Sequence, residues 1–267
     1  MAAIYDRAAP LYDQTGPAIY THFGRLLVEK ADLAAGQRAL DIATGRGACL
    51  GPAQESVGPK GKVTGIDLST AMLLAQEPGA PPRPALARMD AENLAFADAS
   101  FDAITCAFSL PLFPDPRRAL IAAKQALVPG GRLALSLWQE DFGYFAWLDS
   151  WFRSSSKFPA ASPARDPIAQ DSATVGFQKE LGRAGFDEIR VTSEEATFSY
   201  SSPAQWWASL WSHGFRERLE KLKPFFLYQL KNKGLEAIRQ LQGPSGIPIS
   251  LRASMIVGRN GEATRPR

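Results

Sequence analysis

Cysteine and histidine are scarce in this chain of 267 residues. The two cysteines, Cys49 and Cys106, lie far apart and outside any Cys-x-x-Cys spacing, so the sequence offers neither a disulfide framework nor a zinc site. Both thiols are expected to be buried and inert, and no metal is expected. The only two histidines are His22 and His213, which leaves few candidate bases.

Long apolar runs and a strong charge of one sign are also missing. No window approaches the roughly 18 apolar residues of a membrane span, and the N-terminal "MAAIYDRAAPLYDQ" has acids and tyrosines where a signal peptide has an apolar core. The net charge is only +3, whereas a nucleic-acid-binding protein usually has a basic stripe. We therefore expect a cytoplasmic protein that binds neither nucleic acid nor a membrane. A monomer or homodimer is expected.

What the first half does contain is an alternation of apolar strands and helical patterns. Buried parallel strands are covered by helices on both faces, so this alternation predicts an α/β fold with a parallel sheet. The expected strands are 38–43, 62–68, 84–90, 101–110 and 132–138, and the expected helices are 17–35, 48–57, 69–77 and 116–127.

The second half has a different composition. All six tryptophans lie at or after Trp138, and residues 154–171 are rich in Ser, Pro and Ala. The patterns predict a helix at 172–186, strands at 188–200 and 249–259, and two or more helices within 203–242, with breaks near Gly214 and Pro224.

A glycine-rich turn follows the first predicted strand, in "ALDIATGRGACLGP" at 39–52. Glycines at such a turn allow a ligand to approach the backbone. A phosphate-binding P-loop needs a Lys followed by Ser or Thr after the glycines, and this is absent. The dinucleotide fingerprint GxGxxG fits at Gly45 and Gly47 but has Leu50 in place of its third glycine.

Three acids, Asp41, Asp67 and Asp90, end three successive strands. Asp67 stands where a ribose-binding acid follows the second strand. A negative charge at Asp41, before the glycines, favours a cation over a pyrophosphate, and Asp90 is placed to accept a hydrogen bond from an exocyclic amine. Each acid taken singly is also compatible with a helix cap or a turn. Together they match S-adenosylmethionine, which has a cationic part, a ribose and an adenine.

Four segments in order resemble the class I methyltransferases, and the closest group is the ubiquinone/menaquinone-biosynthesis type. They are "LDIATGRGA", "VTGIDLS", "ARMDAENLAFADASFDAITCAFSL" and "FPDPRRALIAAKQALVPGGRLALS". The resemblance covers residues 5–138 and implies a Rossmann-like seven-stranded sheet whose last strand is antiparallel. It implies a cofactor-binding half with N-terminal helices at 1–138. The rest of the sheet, at 139–267, would carry helical cap insertions at 139–171 and 203–242.

The resemblance also implies which residues meet the cofactor, S-adenosyl-L-methionine. Gly45 and Gly47 would let the backbone approach the methionine part, with Asp41 beneath it, and Ala43 replaces the family's first glycine. Asp67 would bind both ribose hydroxyls. The other implied contacts are Leu68 and Met72 on the adenine, Asp90 and the Ala91 amide at its polar edge, Phe108 and Ser109 beside the methyl donor, and Tyr12 closing over the cofactor.

The acceptor is expected over the fourth and fifth strands. Relatives often carry histidines after the fourth strand, but here the chain has "SLPLF", which makes the mouth of the site more apolar. Long insertions are usually lids or binding loops, so we expect a small, largely apolar acceptor, aromatic or polyketide-like, from secondary metabolism. The candidate contacts are Phe142, Tyr144, Trp207 and Trp211, the last two at i, i+4 on one helix face, and the candidate bases are His213 and His22.

Three alternatives stay open. A protein of this fold could bind the cofactor and catalyse a cyclisation or another step without methylation in natural-product biosynthesis. It could also be a non-catalytic cofactor-binding protein. A nicotinamide oxidoreductase is disfavoured by Leu50 and Asp41.

Overall fold

Seven strands form a single sheet in the computed structural model, in the order β3-β2-β1-β4-β5-β7-β6. The structure describes residues 2–76, 83–139 and 168–261. The strands are β1 (Arg38–Ile42), β2 (Lys62–Asp67), β3 (Ala85–Arg88), β4 (Phe101–Ala107), β5 (Leu127–Trp138), β6 (Phe186–Tyr200) and β7 (Ile247–Asn260).

The pairing of the strands places the carboxyl ends of the first five at one edge. Strand β1 pairs in parallel with β2 and β4, β2 pairs in parallel with β3, and β4 pairs in parallel with β5. Strand β7 runs antiparallel to β5. The predicted seven-stranded sheet with an antiparallel last strand is therefore confirmed.

The helices fall between the strands as the alternation predicts. Asp115 caps α5 by accepting a hydrogen bond from the Arg118 N–H, and Pro116 begins that helix, where its missing N–H is harmless. The helices are α1 (Ala2–Ala8), α2 (Ile19–Ala31), α3 (Leu50–Val57), α4 (Thr70–Leu74), α5 (Pro116–Ala126), α6 (Ile168–Arg183), α7 (Pro203–Ser209), α8 (Arg216–Glu220) and α9 (Pro224–Arg239).

Strand β4 ends at Ala107, earlier than the predicted 110. Phe108 has a φ of +56°, which turns the chain out of the strand, and a 3-10 turn follows at Leu110–Leu112. Helix α5 shares a buried hydrophobic cluster with β4. The cluster includes Ile104 and Cys106 of β4 and Ala119, Leu120 and Ala123 of α5.

The expectation that Trp207 and Trp211 lie on one helix face is wrong, because α7 ends at Ser209. The Ser209 hydroxyl donates to the Trp206 carbonyl at 2.7 Å, and the Ser212 hydroxyl donates to the Ser209 carbonyl at 2.7 Å. Side-chain bonds of this kind compete with the helical ladder. The next amides then bond three residues back, since the Trp211 N–H donates to the Ala208 carbonyl.

The chain divides into two compact units. The sheet unit comprises Tyr20–Trp138, Ala173–Glu194 and Ala253–Arg267, and the second unit comprises Met1–Ile19, Gln139–Ser172 and Glu195–Arg252. The expected division into 1–138 and 139–267 stays a prediction, and the two units do not coincide with it. That the insertions form a cap stays a prediction. Within the described residues, no helix has the length and apolar character needed to cross a membrane.

Candidate functional site

The loop after β1 has the tight left-handed turns that its glycines predict. Gly45 has a φ of +54° and Gly47 a φ of +90°, and the Gly47 N–H closes the turn by donating to the Thr44 carbonyl at 2.8 Å. Ala43 takes a φ of +54° although it is not glycine. A Cβ on Gly45 would meet no atom within 4 Å, so this glycine is needed for its backbone conformation and leaves open space above the loop.

Asp41 is buried beneath this loop, with 3% of its surface exposed. Its Oδ2 accepts a hydrogen bond from Thr44 Oγ1 at 2.6 Å, and its Oδ1 accepts one from Thr105 Oγ1 at 2.6 Å. Gly65 is the register partner of Asp41 on β2, and a Cβ there would lie 3.1 Å from the Thr44 side chain. The missing side chain on β2 therefore leaves the room that Thr44 needs to reach Asp41.

Burial raises the pKa of Asp41 to about 6, although hydrogen bonds from Thr105, Thr44 and Cys49 oppose the shift. The nearby charge of Asp67 adds to it. Asp41 is thus an acid whose ionised form is disfavoured by its surroundings, and a cation placed above the glycine loop would stabilise that form. The thiols of Cys49 and Cys106 are buried beside it, as expected, and burial raises the pKa of each.

Asp67, at the end of β2, links that strand to the glycine loop. Its Oδ2 accepts a hydrogen bond from the Gly45 N–H at 2.8 Å, and its Oδ1 accepts one from the Ser69 N–H at 2.8 Å. These two bonds fix the plane of the carboxylate. A carboxylate has about four acceptor positions, so a carboxylate oriented in this way suits a ligand that presents two neighbouring hydroxyl donors.

The acid after β3 is held in a turn. Asp90 Oδ1 accepts from the Glu92 N–H at 2.9 Å, and its Oδ2 accepts from Asn93 Nδ2 at 3.1 Å. Asp67 and Asp90 therefore both act as turn residues as well as candidate ligands. Of the residues that follow these acids, Leu68 is 46% exposed, whereas Met72 of α4 is 1% exposed and Ala91 is 7% exposed.

Aromatic side chains gather where β4 and β5 end. The Phe108 ring stacks on Trp138 with centroids 3.8 Å apart and planes 11° apart. Ser109, the next residue, donates from its hydroxyl to the Ala107 carbonyl at 2.8 Å. Trp138 was not among the candidate site residues, and only the sheet order that pairs β4 with β5 brings it to Phe108.

Two other residues were missed. Gln76, just after the end of α4, donates from Nε2 to the Gly45 carbonyl at 3.0 Å, so it helps to fix the glycine loop. No local pattern marks it. Thr105 could have been found, because it is the register partner of Asp41 once β1 and β4 are recognised as neighbours.

The remaining candidates are distributed between the units. His22 is exposed on α2 and packs edge-on against Phe23 at 5.2 Å. In the second unit, Tyr12 packs against Tyr5 with centroids 6.2 Å apart, and burial lowers the pKa of His213 to about 4. Trp207 is 8% exposed and Trp211 is partly buried. Phe142 and Tyr144 lie outside the described residues.

Comparison with known proteins identifies the family. Residues 40–135 match a family model described as a methyltransferase domain. The chain is 30% identical over 236 residues to nocamycin O-methyltransferase of Saccharothrix syringae, a match that covers 83% of this chain and 84% of that relative. The chain belongs to the methyltransferase family. The resemblance found in the sequence is confirmed, and the cofactor of this methyltransferase is S-adenosyl-L-methionine.

Two further likenesses differ in extent. Aklanonic acid methyltransferase of Streptomyces sp. (strain C5) is 38% identical over 136 residues. The match covers 49% of this chain and 62% of that relative, which is less than two thirds of the relative's length. The solved structure of the cyclase SpnF has a TM-score of 0.55 at 19% identity, and the match covers 91% of this chain and 82% of that one. At that identity the likeness concerns the fold alone.

Proposed function

We propose that this methyltransferase binds S-adenosylmethionine at the carboxyl ends of β1, β2 and β3 and methylates a small, largely apolar acceptor, aromatic or polyketide-like. The observation that carries the cofactor site is the Asp67 carboxylate, held by the Gly45 and Ser69 amides at 2.8 Å each. Ligands of open α/β sheets bind at this edge, beyond the strand ends.

Asp67 binds the ribose in this proposal. Its two backbone bonds orient the carboxylate before the ligand arrives, so little side-chain entropy is lost when the two ribose hydroxyls donate to it. Hydrogen bonds to a charged acceptor contribute roughly 1.5–3 kcal/mol each. Loss of this carboxylate should therefore weaken cofactor binding and leave the choice of acceptor unchanged.

Asp41 supports the methionine part through the field of its buried charge. Both of its oxygens accept hydrogen bonds from threonine hydroxyls at 2.6 Å, and its pKa is raised to about 6. A cationic ligand group above Gly45 and Gly47 would favour the ionised carboxylate. Asp41 and the glycine loop therefore select a cation at the position where a dinucleotide site holds a pyrophosphate.

The adenine end of the proposed site lies along the loops after β2 and β3. The exposed Leu68 supplies an apolar surface, and Asp90 accepts from the adenine amine while the Ala91 amide donates to a ring nitrogen. Met72, the other residue expected on the adenine, is 1% exposed, so Leu68 offers the larger surface to the ring. In this proposal Phe108 and Ser109 lie beside the methyl donor.

When bound, S-adenosylmethionine supplies a methyl group that its sulfonium already activates for in-line displacement. The task of the chain is then to align acceptor and donor, and such positioning can lower the barrier by ~7–11 kcal/mol. The turn at Phe108 and Ser109 borders this position. A general base would add about 10²–10⁴-fold for an acceptor that must lose a proton, and His213 is the better of the two histidine candidates because His22 is exposed.

The acceptor class is supported by the relatives' names, which refer to nocamycin and aklanonic acid. The apolar "SLPLF" after β4 and the stacked Phe108 and Trp138 rings agree with an acceptor of low polarity. Phe142, Tyr144, Trp207 and Trp211 remain the proposed acceptor contacts.

The test is transfer of a radiolabelled methyl group from S-adenosylmethionine. The acceptors are aklanonic acid, a demethylated quinone and simple phenols, with phosphoethanolamine as a polar control. Label in an aromatic acceptor but not in phosphoethanolamine supports the proposal. Transfer to phosphoethanolamine alone would contradict the acceptor class, and cofactor binding with conversion of the acceptor but no label in it would favour the cyclisation alternative.

A further inference from the structure

Phe108 adopts a backbone conformation that bulky side chains avoid. Its φ is +56°, in the left-handed region, where a residue with a Cβ is strained and a large aromatic residue is a genuine outlier. Strained residues persist only where the surrounding structure holds them, and they cluster at functional sites. The contacts that hold Phe108 therefore indicate which residues serve that site.

The backbone of Phe108 is held by β5. Its N–H donates to the Ser136 carbonyl at 3.0 Å and to the Ser136 Oγ at 3.1 Å. Ser136 is fully buried, and it is the register partner of Ala107, the last residue of β4. The strained turn thus begins at a fixed point of the sheet.

The ring of Phe108 is held by Trp138, two residues further along β5. The two rings are stacked, with centroids 3.8 Å apart and planes 11° apart. Tyr20 and Phe23 of α2 pack edge-on against both rings: Tyr20 at 5.9 Å from each, and Phe23 at 5.9 Å from Phe108 and 5.2 Å from Trp138. We call these four side chains the aromatic cluster.

The position of the aromatic cluster ties it to the cofactor loop. Asp41 and Thr105 are register partners in β1 and β4, and Phe108 follows Thr105 by three residues, as Thr44 follows Asp41. Both loops therefore leave neighbouring strands at the same level of the sheet. An aromatic pair does not in itself require a positive φ, since Phe96 and Phe101 pair at 4.9 Å in the same unit without one.

We propose that Trp138 is a positioning residue for methyl transfer, which holds the Phe108 ring beside the sulfonium end of the cofactor site. This inference rests on the proposed function. The face of an aromatic ring attracts a cation within about 6 Å of its centroid. S-adenosylmethionine has a positive sulfonium, whereas its product S-adenosylhomocysteine has a neutral sulfur, so a correctly placed ring favours the first over the second.

The experiment compares the affinities of S-adenosylmethionine and S-adenosylhomocysteine by calorimetry. Trp138→Ala is expected to weaken binding of S-adenosylmethionine about three- to tenfold more than binding of S-adenosylhomocysteine, because only the first contains the cation. Trp138→Phe keeps a stacking ring, so the ratio of the affinity for S-adenosylmethionine to that for S-adenosylhomocysteine should return to the wild-type value. Phe96→Leu is the matched control, since it breaks the other aromatic pair: it should lower the melting temperature and leave the ratio unchanged.

A second variant covers the case in which Trp138→Ala fails to fold. Ser136→Ala removes one of the two acceptors of the Phe108 N–H and should shift the ratio in the same direction, by a smaller factor. An unchanged ratio in every folded variant, with both compounds bound by the wild type, would overturn this inference alone. Binding of neither compound by the wild type would instead overturn the proposed cofactor site.

Discussion

Asp41 and Thr105 are register partners on neighbouring parallel strands, and the Thr105 hydroxyl donates to the Asp41 carboxylate at 2.6 Å. The bond is therefore built into the pairing of β1 with β4, since any shift of register would separate the two residues. It supports a carboxylate that has lost nearly all contact with water. Burying a carboxylate costs free energy that two hydroxyl hydrogen bonds offset only in part, so a functional role for the charge would explain why the acid is kept here.

The first prediction concerns the pH dependence of stability. The pKa of Asp41 is raised to about 6 in the folded protein, so between about pH 4 and 6 the folded state binds more protons than the unfolded state. The contribution of Asp41 to stability therefore falls as the pH rises through this window. Between pH 4 and 7, wild type should lose roughly 2 kcal/mol relative to Asp41→Asn, measured by urea denaturation. Parallel pH curves for the two proteins would contradict the shifted pKa.

The second prediction concerns the backbone at Ala43, whose φ is +54°. Glycine adopts this conformation without the penalty of about 1–2 kcal/mol that a Cβ imposes. Ala122→Gly in α5 is the matched control, because it makes the same change in the unfolded chain but weakens a helix. In thermal unfolding, Ala43→Gly should be about 1–2 kcal/mol more stable than Ala122→Gly. Equal losses would show that the turn at Ala43 is not strained.

The third prediction separates the two histidines. Burial lowers the pKa of His213 to about 4, so a rate that depends on its neutral form should be flat from pH 5 to 8 and fall near pH 4. His213→Gln is expected to lower kcat by less than the roughly 10²–10⁴-fold of a base whose pKa lies near the operating pH, because a pKa of about 4 makes a weak base. The affinity for S-adenosylhomocysteine should stay unchanged. His22→Gln, at an exposed position, is the control and should keep wild-type turnover. Unchanged turnover in His213→Gln would remove it as a base.

The sequence predicted the parts of the fold that depend on local pattern. Strands buried on both faces are short apolar runs, and helices between them have their own period, so the order of elements in 38–138 was predicted with boundary errors of a few residues. The ends of β1, β2 and β3 were found because acids there stand out against apolar strands. Which pairs of these ends are neighbours follows from the sheet order.

Contacts between distant segments were beyond the sequence. Thr105 reaches Asp41 across 64 positions, and Trp138 meets Phe108 only because β5 pairs with β4. The left-handed turn at Phe108 has no sequence signal, since phenylalanine rarely adopts it. The early end of α7 was missed because the serine hydroxyls that compete with its ladder also occur inside helices.

The central claim is that Asp67 holds the cofactor, and calorimetric titration with S-adenosylhomocysteine tests it most directly. Two backbone amides depend on this carboxylate, so Asp67→Asn also loosens the loop. Ser69→Ala is the matched control, because it removes the cap of α4 in the same loop and leaves the carboxylate intact. Wild type should bind one equivalent, Ser69→Ala should bind within about threefold of wild type, and Asp67→Asn should bind at least about tenfold more weakly, as expected for the loss of one charge-assisted hydrogen bond. Binding by Asp67→Asn as tight as by wild type would contradict the account.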